Sequence, residues 1–249
     1  MTRSYLGWIV CALIGLTSAR LDAAIIGVNI STGRTGETYA LLPTDVAGVV
    51  PQANFNNIAA FSTATPLLTS AGVASGLSAT VTGANFYSTF GAPQANPNNQ
   101  LLNSYADSSG GTNSVVTVTG LPATGTYDVY AYVTSDGGNR NGVVAITGSA
   151  TQYFFNTFGS GVANPGFVQA TATTVGAAVP SNYVLFSGVS GTSFTLTASQ
   201  IGVTGGGNAG FSGFQIVTPN AVPEPSTFAA LGILSVLAGV VTLRRRHIV

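Results

Sequence analysis

TYDVYAYVTSDGGNRNGVVAITG occupies residues 126–148. Tyr127, Val129, Ala131 and Val133 alternate with Asp128, Tyr130 and Tyr132. That is the period-two pattern of a strand with one face buried. A second apolar run begins at Gly142. Between them lies Ser135-Asp136-Gly137-Gly138-Asn139-Arg140-Asn141, where Gly and Asn accept the positive φ that reverses a chain. The stretch predicts two strands joined as a β-hairpin. Its loop reads first as a turn. A second reading takes Asp136, Asn139 and Asn141 as oxygen ligands for Ca²⁺, although their spacing is not that of an EF-hand. Arg140 reads as a solvated charge at the loop tip, with a glycan contact by Asp136, Asn139, Arg140 and Asn141 as the alternative.

The same texture extends in both directions. IIGVNI (25–30), LSATVTG (77–83), NSVVTVTG (113–120), TQYFF (151–155), NYVLFSG (182–188), SFTLTA (193–198) and FSGFQIV (211–217) are short apolar or alternating runs. Gly, Asn, Pro and Ser separate them. Phe194, Leu196 and Ala198 share one face. Residues 25–220 therefore predict one all-β body, an antiparallel β-sandwich or jelly roll.

The scarce residues exclude most chemistry. The chain has no lysine, and Cys11, Trp8 and His247 are its only cysteine, tryptophan and histidine. All three stand near the ends. The body thus has no Ser-His-Asp or Cys-His pair. It lacks the usual ligands of zinc, copper or haem, so no cofactor is expected. It can form neither a disulfide nor a lysine isopeptide cross-link. Arg34 and Arg140 stand against Glu37, Asp45, Asp107, Asp128 and Asp136 between Ile25 and Ala221, two cations against five acids, for a net charge of −3. Such a body cannot neutralise a phosphate backbone, which argues against nucleic acid as a partner.

The ends differ from the body. Arg3, an uncharged apolar stretch from Tyr5 to Thr17, and small residues at Ala19, Ala23 and Ala24 read as a secretory signal peptide over residues 1–24. Near the other end, Ser226–Leu243 carries no charge over 18 residues. As a helix that run is ~27 Å long, enough for the hydrocarbon core of a bilayer. Its polar residues form no stripe, so it reads as a transmembrane helix rather than an amphipathic one. Arg244, Arg245 and Arg246 follow directly and should stay cytoplasmic, leaving the body outside. Pro223 and Pro225 hold the preceding segment extended and deprive it of two N–H donors, with Glu224 solvated between them.

Val222-Pro223-Glu224-Pro225-Ser226-Thr227, the apolar span and the arginine cluster together resemble the PEP-CTERM sorting signal of exported bacterial proteins, over residues 221–249. The resemblance implies processing by an exosortase at or near Pro-Glu-Pro. The span would then be a transient inner-membrane anchor, and the product would reach the cell surface or extracellular matrix. It also implies association with exopolysaccharide and biofilm. In the body, TDVAGVVPQANFNN (44–57), LLNSYADSSG (101–110), VTGLPATGTYDVYAYVTSDGGNRNG (118–142) and FSGFQIV (211–217) resemble a module of exported proteins from environmental bacteria. That module is similar to galactose-binding-like jelly rolls, in which a final strand closes the sandwich. Phe55 stands where those sequences often carry Trp, which keeps a packing role and weakens a sugar-stacking one.

Three functions follow as expectations. The first is a non-catalytic component of the exopolysaccharide or biofilm matrix, whose hydroxyl- and amide-rich surface hydrates without charge. The second is a carbohydrate-binding module. It would use Phe86, Tyr87, Tyr105, Tyr153 or Phe158 as a platform and Asp107, Asp136, Asn139 and Arg140 as hydrogen-bonding groups. The third is a carboxylate-based glycoside hydrolase drawing on Glu37, Asp45, Asp107, Asp128 and Asp136. No two of these acids stand at a defining spacing, so the chain is not expected to be an enzyme.

Overall fold

The computed structural model describes residues 25–34, 36–59, 61, 64–158, 166–201 and 209–218. The signal-peptide segment, Val222–Pro225, the span Ser226–Leu243 and Arg244–Arg246 lie outside the described residues. Among the described residues, no helix is long and apolar enough to cross a membrane.

Thirteen strands occur among the described residues: β1 (Ile25–Ile30), β2 (Asn56–Ile58), β3 (Thr65–Leu68), β4 (Ala74–Thr82), β5 (Phe86–Ser88), β6 (Ser104–Ser108), β7 (Ser114–Thr119), β8 (Tyr127–Thr134), β9 (Asn141–Ile146), β10 (Tyr153–Asn156), β11 (Tyr183–Val189), β12 (Ser193–Gln200) and β13 (Ala209–Val217). One short helix, α1 (Pro97–Leu101), is capped by the Asn96 side chain, which accepts from the N–H groups of Asn98 and Asn99. The strands form two sheets. The first has seven strands, ordered β11-β8-β13-β1-β2, with β6 also on β13 and β5 on β6. The second has six, ordered β10-β9-β12-β7-β4-β3. The second sheet is antiparallel throughout. The first is mixed, because β1 and β2 run parallel.

The alternation read in the sequence sorts the core. Tyr127, Val129, Ala131 and Val133 of β8 join Phe194, Leu196 and Ala198 of β12 in one buried cluster shared by both sheets. The hairpin expectation is corrected here. β8 lies in the first sheet between β11 and β13, whereas β9 lies in the second between β10 and β12. The loop at 135–140 carries the chain from one sheet to the other. Both hydrogen-bonding edges of β8 are already taken by its neighbours, so no edge remains for β9.

β13 lies at the centre of the first sheet, pairing with β8 on one side and with β1 and β6, end to end, on the other. Two glycines permit this. A Cβ at Gly210 would sit inside the contact distance of the Ala106 carbonyl, and one at Gly213 inside that of the Val28 carbonyl. Phe211, Phe214 and Ile216 fill the core between the sheets. Gln215 points the other way, where a second layer covers the sheet. Leu41, Ala47, Phe55, Leu101, Leu102 and Tyr132 form a separate buried cluster there. Gln215 Nε2 donates to the Val50 carbonyl (2.7 Å) and to Gln52 Oε1 (3.0 Å). Its Oε1 accepts from the Tyr132 hydroxyl. That hydroxyl in turn accepts from Val49 N–H (2.7 Å). Phe55 is only 6% exposed, which gives it the packing role.

Among the described residues, no such layer covers the outer face of the second sheet. Thr80, Thr117 and Thr195 form a cross-strand row of half-buried hydroxyls on β4, β7 and β12. The Oγ1 atoms of Thr117 and Thr195 lie 3.3 Å apart.

Replacing Gly213 by Ala should cost about 3 kcal/mol or more, because backbone rather than a yielding side chain stands in the way. Urea denaturation reads this directly. An unchanged midpoint would mean that β13 and β1 can part without loss.

Candidate functional site

Two features outside the core could do chemistry, a cluster of charged and phenolic side chains and an open cleft. The cluster gathers at the end of β6 and in the 135–140 crossover. Tyr105 is buried on β6. Its hydroxyl donates to Asp136 Oδ1 (3.0 Å) and accepts from Asp136 N–H (3.0 Å). Burial, reinforced by the Asp136 charge, raises the Tyr105 pKa far above the ordinary phenol range. Arg140 Nη1 meets Asp136 Oδ1 at 2.8 Å. A Cβ at Gly137 would lie 2.6 Å from Arg140 Nε, so the glycine lets the guanidinium fold back over its own loop. Arg140 is therefore a half-buried ion-pair partner and not a charge at a loop tip.

Thr157 holds the loop from beneath. Its carbonyl accepts from Asn139 N–H (3.1 Å), its N–H donates to the Arg140 carbonyl (3.1 Å), and its hydroxyl donates to the Gly137 carbonyl (2.9 Å). Asn139 takes the left-handed conformation, with φ +59°. Asn141 opens β9 and is exposed, paired in register with Asn156. Of the four residues read as a glycan or calcium loop, the structure joins Asp136 and Arg140 directly. Asn139 and Asn141 are exposed beside them.

Asp107 lies next to this group and is the unusual member. It is fully buried, and neither carboxylate oxygen has a hydrogen bond of good geometry, although the Ser109 hydroxyl and Ser108 N–H lie close by. Burial raises its pKa to about 6. The Asp136 charge pushes the same way, while the nearby Ser109 hydroxyl, the Arg140 charge and Ser108 N–H pull against it. Tyr87 stacks on Tyr105 with ring centres 6.0 Å apart, and the Arg34 guanidinium sits 5.1 Å above the Tyr87 ring. Both body arginines thus belong to one patch.

The other nominated residues lie elsewhere. Phe86 is a core residue packed on Phe61. Phe158 is half-buried. Asp45 caps a turn, accepting from Leu42 N–H (2.7 Å), and Asp128 Oδ1 accepts from Gly188 N–H (3.2 Å). Glu37 is exposed in the loop after β1. Among the described residues, no three His, Cys, Asp or Glu side chains converge as a metal site.

Tyr153 leads to the second feature, which sequence reasoning missed. It borders a cleft of about 580 Å³ formed by 146–151, Gln169 and 185–190. These are the end of β9 and the turn that leads to β10, the loop residue Gln169, and the bulged end of β11, beside the edge strands β10 and β11 of the two sheets. The Tyr153 and Phe186 rings meet edge to face, with centres 5.4 Å apart. Three distant stretches contribute, and none carries a charge or a spacing that would mark it.

The described body leaves its export unexplained, and the explanation comes from the chain's far end. Residues 221–246 match the family model of the PEP-CTERM protein-sorting motif. The chain carries a PEP-CTERM sorting motif. The match contains Val222–Pro225 and Arg244–Arg246. The PEP-CTERM motif marks an exported protein that is held transiently in the membrane by its C-terminal segment and processed by an exosortase. No curated protein matches the chain.

Asp107→Asn tests the buried carboxyl. In the unfolded chain Asp107 ionises near 3.8, in the folded protein near 6. Between those values the folded state holds the extra proton, so this group's stability is full below the window and falls as pH rises through it. The asparagine variant should flatten that fall and be more stable at neutral pH by up to about 3 kcal/mol. Urea titrations across the window measure it, and an unchanged pH slope would show that Asp107 is already ionised at the lower end.

Proposed function

We propose that this PEP-CTERM protein is a non-catalytic component of the exopolysaccharide or biofilm matrix at the cell surface. The single observation that carries the reading is the sorting motif at 221–246 attached to a β-rich, nearly charge-free body. The two sheets around one core are read as a galactose-binding-like jelly roll. Ser226–Leu243 is read as a single transmembrane helix that anchors the precursor before exosortase processing. The mature body then sits among polysaccharide chains, hydrated by hydroxyls and amides.

The distribution of carboxyls supports a non-catalytic role. A glycoside hydrolase needs two carboxyls open to a substrate between them. Asp107 and Asp136 are the pair brought into electrostatic reach, but Asp107 exposes no surface and Asp136 is engaged by Arg140 and Tyr105. Tyr105 and Tyr87 likewise stack on each other, with Arg34 above, rather than offering a bare platform.

Fractionation of the native host with polysaccharide extraction tests delivery and partner together. The protein should leave the cells with the polysaccharide and lack the peptide Arg244–Val249 by mass spectrometry. Recovery in the membrane fraction with that peptide intact would defeat the reading.

A further inference from the structure

We propose that the cleft between the 147–151 turn and the bulged end of β11 binds a neutral oligosaccharide. The inference rests on the matrix reading for the kind of ligand the exported body meets. Its site and charge selectivity come from the cleft itself. The volume of about 580 Å³ lies within the range that small-molecule sites occupy.

The lining sets the chemistry. Among the described lining residues the polar side chains are Thr147, Ser149, Thr151, Ser187 and Ser190, the Gln169 amide and the Tyr153 hydroxyl, with no acid and no base. Asp128 is not among the lining residues, and its Oδ1 is occupied by Gly188 N–H. A ligand carboxylate or phosphate would lose its hydration there and gain no countercharge, so charged sugars are disfavoured.

The donors are also unspent. Among the described residues, the hydroxyls of Thr151, Tyr153, Ser187 and Ser190 find no hydrogen-bond partner, and neither does Gln169 Nε2. Gln169 uses only its oxygen, toward the Tyr183 hydroxyl at 3.4 Å. Tyr153 is half-buried and anchored edge-on by Phe186, which fixes an aromatic wall beside the polar groups. Fixed apolar surface beside several uncommitted hydroxyl and amide groups suits a polyol whose rings carry apolar faces and hydroxyl rims. The β11 register shift between Phe186 and Val189 places Ser187 and Gly188 on the cleft wall. A bulge commonly re-aims side chains toward a site in this way.

The full chain, purified in a detergent that is not a glycoside, is titrated with short gluco-, galacto- and manno-oligosaccharides and with uronate-containing oligosaccharides of equal length. Calorimetry and saturation-transfer NMR read the binding. Saturable binding is expected for at least one neutral series, with the uronate series at least about tenfold weaker. Ala150→Trp, on the exposed turn, fills the cleft and should abolish binding, whereas Thr117→Ala on the open face of the second sheet should leave it unchanged. A melting curve establishes that each variant is folded. No saturable binding of any neutral series, equal affinity for uronates, or binding that survives Ala150→Trp would overturn the proposal. The two readings fail separately. A protein found outside the polysaccharide fraction defeats the matrix reading whatever the titration gives, and a cleft that binds nothing defeats only this one.

Discussion

The close approach of backbone around β13 is the constraint on which the first sheet depends. Gly210 faces the Ala106 carbonyl and Gly213 the Val28 carbonyl, and neither leaves room for a Cβ. With the glycines in place, one strand near the end of the body pairs with β1 at its beginning, with β6, and with β8. Phe211, Phe214 and Ile216 then face the core on one side while Gln215 stands on the other. These contacts join residues far apart in sequence, so loop-closure entropy must be paid before they form.

The two sheets treat their outer faces differently, and this asymmetry shapes what the protein can do. On the first sheet, Gln215 and Tyr132 tie down the 48–52 loop, and Leu101, Leu102 and Phe55 pack beside them. A buried amide and phenol are tolerated because their hydrogen-bonding groups find partners. That face is closed. Among the described residues nothing covers the threonine row of the second sheet, and the cleft opens at its β9–β10 side. Surface for a partner therefore lies with the neutral groups.

Both arginines and two of the five acids of the body are gathered in one patch. Arg140 pairs with Asp136, Asp136 with Tyr105, Tyr105 with Tyr87, and Tyr87 with Arg34. Asp107 sits inside this group without a well-formed hydrogen bond, and burial gives it a raised pKa. An ion pair that is spent internally does little to attract a charged ligand from outside. Outside this patch the body carries only Glu37, Asp45 and Asp128 as charges, and hydroxyls and amides dominate, which suits a hydrated, neutral polymer.

The sequence by itself determined the fold class, the core faces of β8 and β12, and the sorting motif. All three are local: alternation of period two needs only consecutive residues, and the motif is contiguous. The packing role of Phe55 was legible only through the resemblance to a module that often carries Trp there. The hairpin across 126–148 was not, because turn chemistry shows that a chain can reverse but not which edge is free. β8 had both edges occupied by strands that follow it in the chain. Arg140 reads as solvated until Gly137 is seen to admit its guanidinium. The nominated Tyr105, Asp107, Asp136 and Arg140 were individually visible, but their meeting depends on β6 and the crossover being adjacent. The cleft was invisible altogether. It consists of ordinary Ser, Thr and Gln residues from separated segments, and only tertiary packing brings them to one wall-lined space.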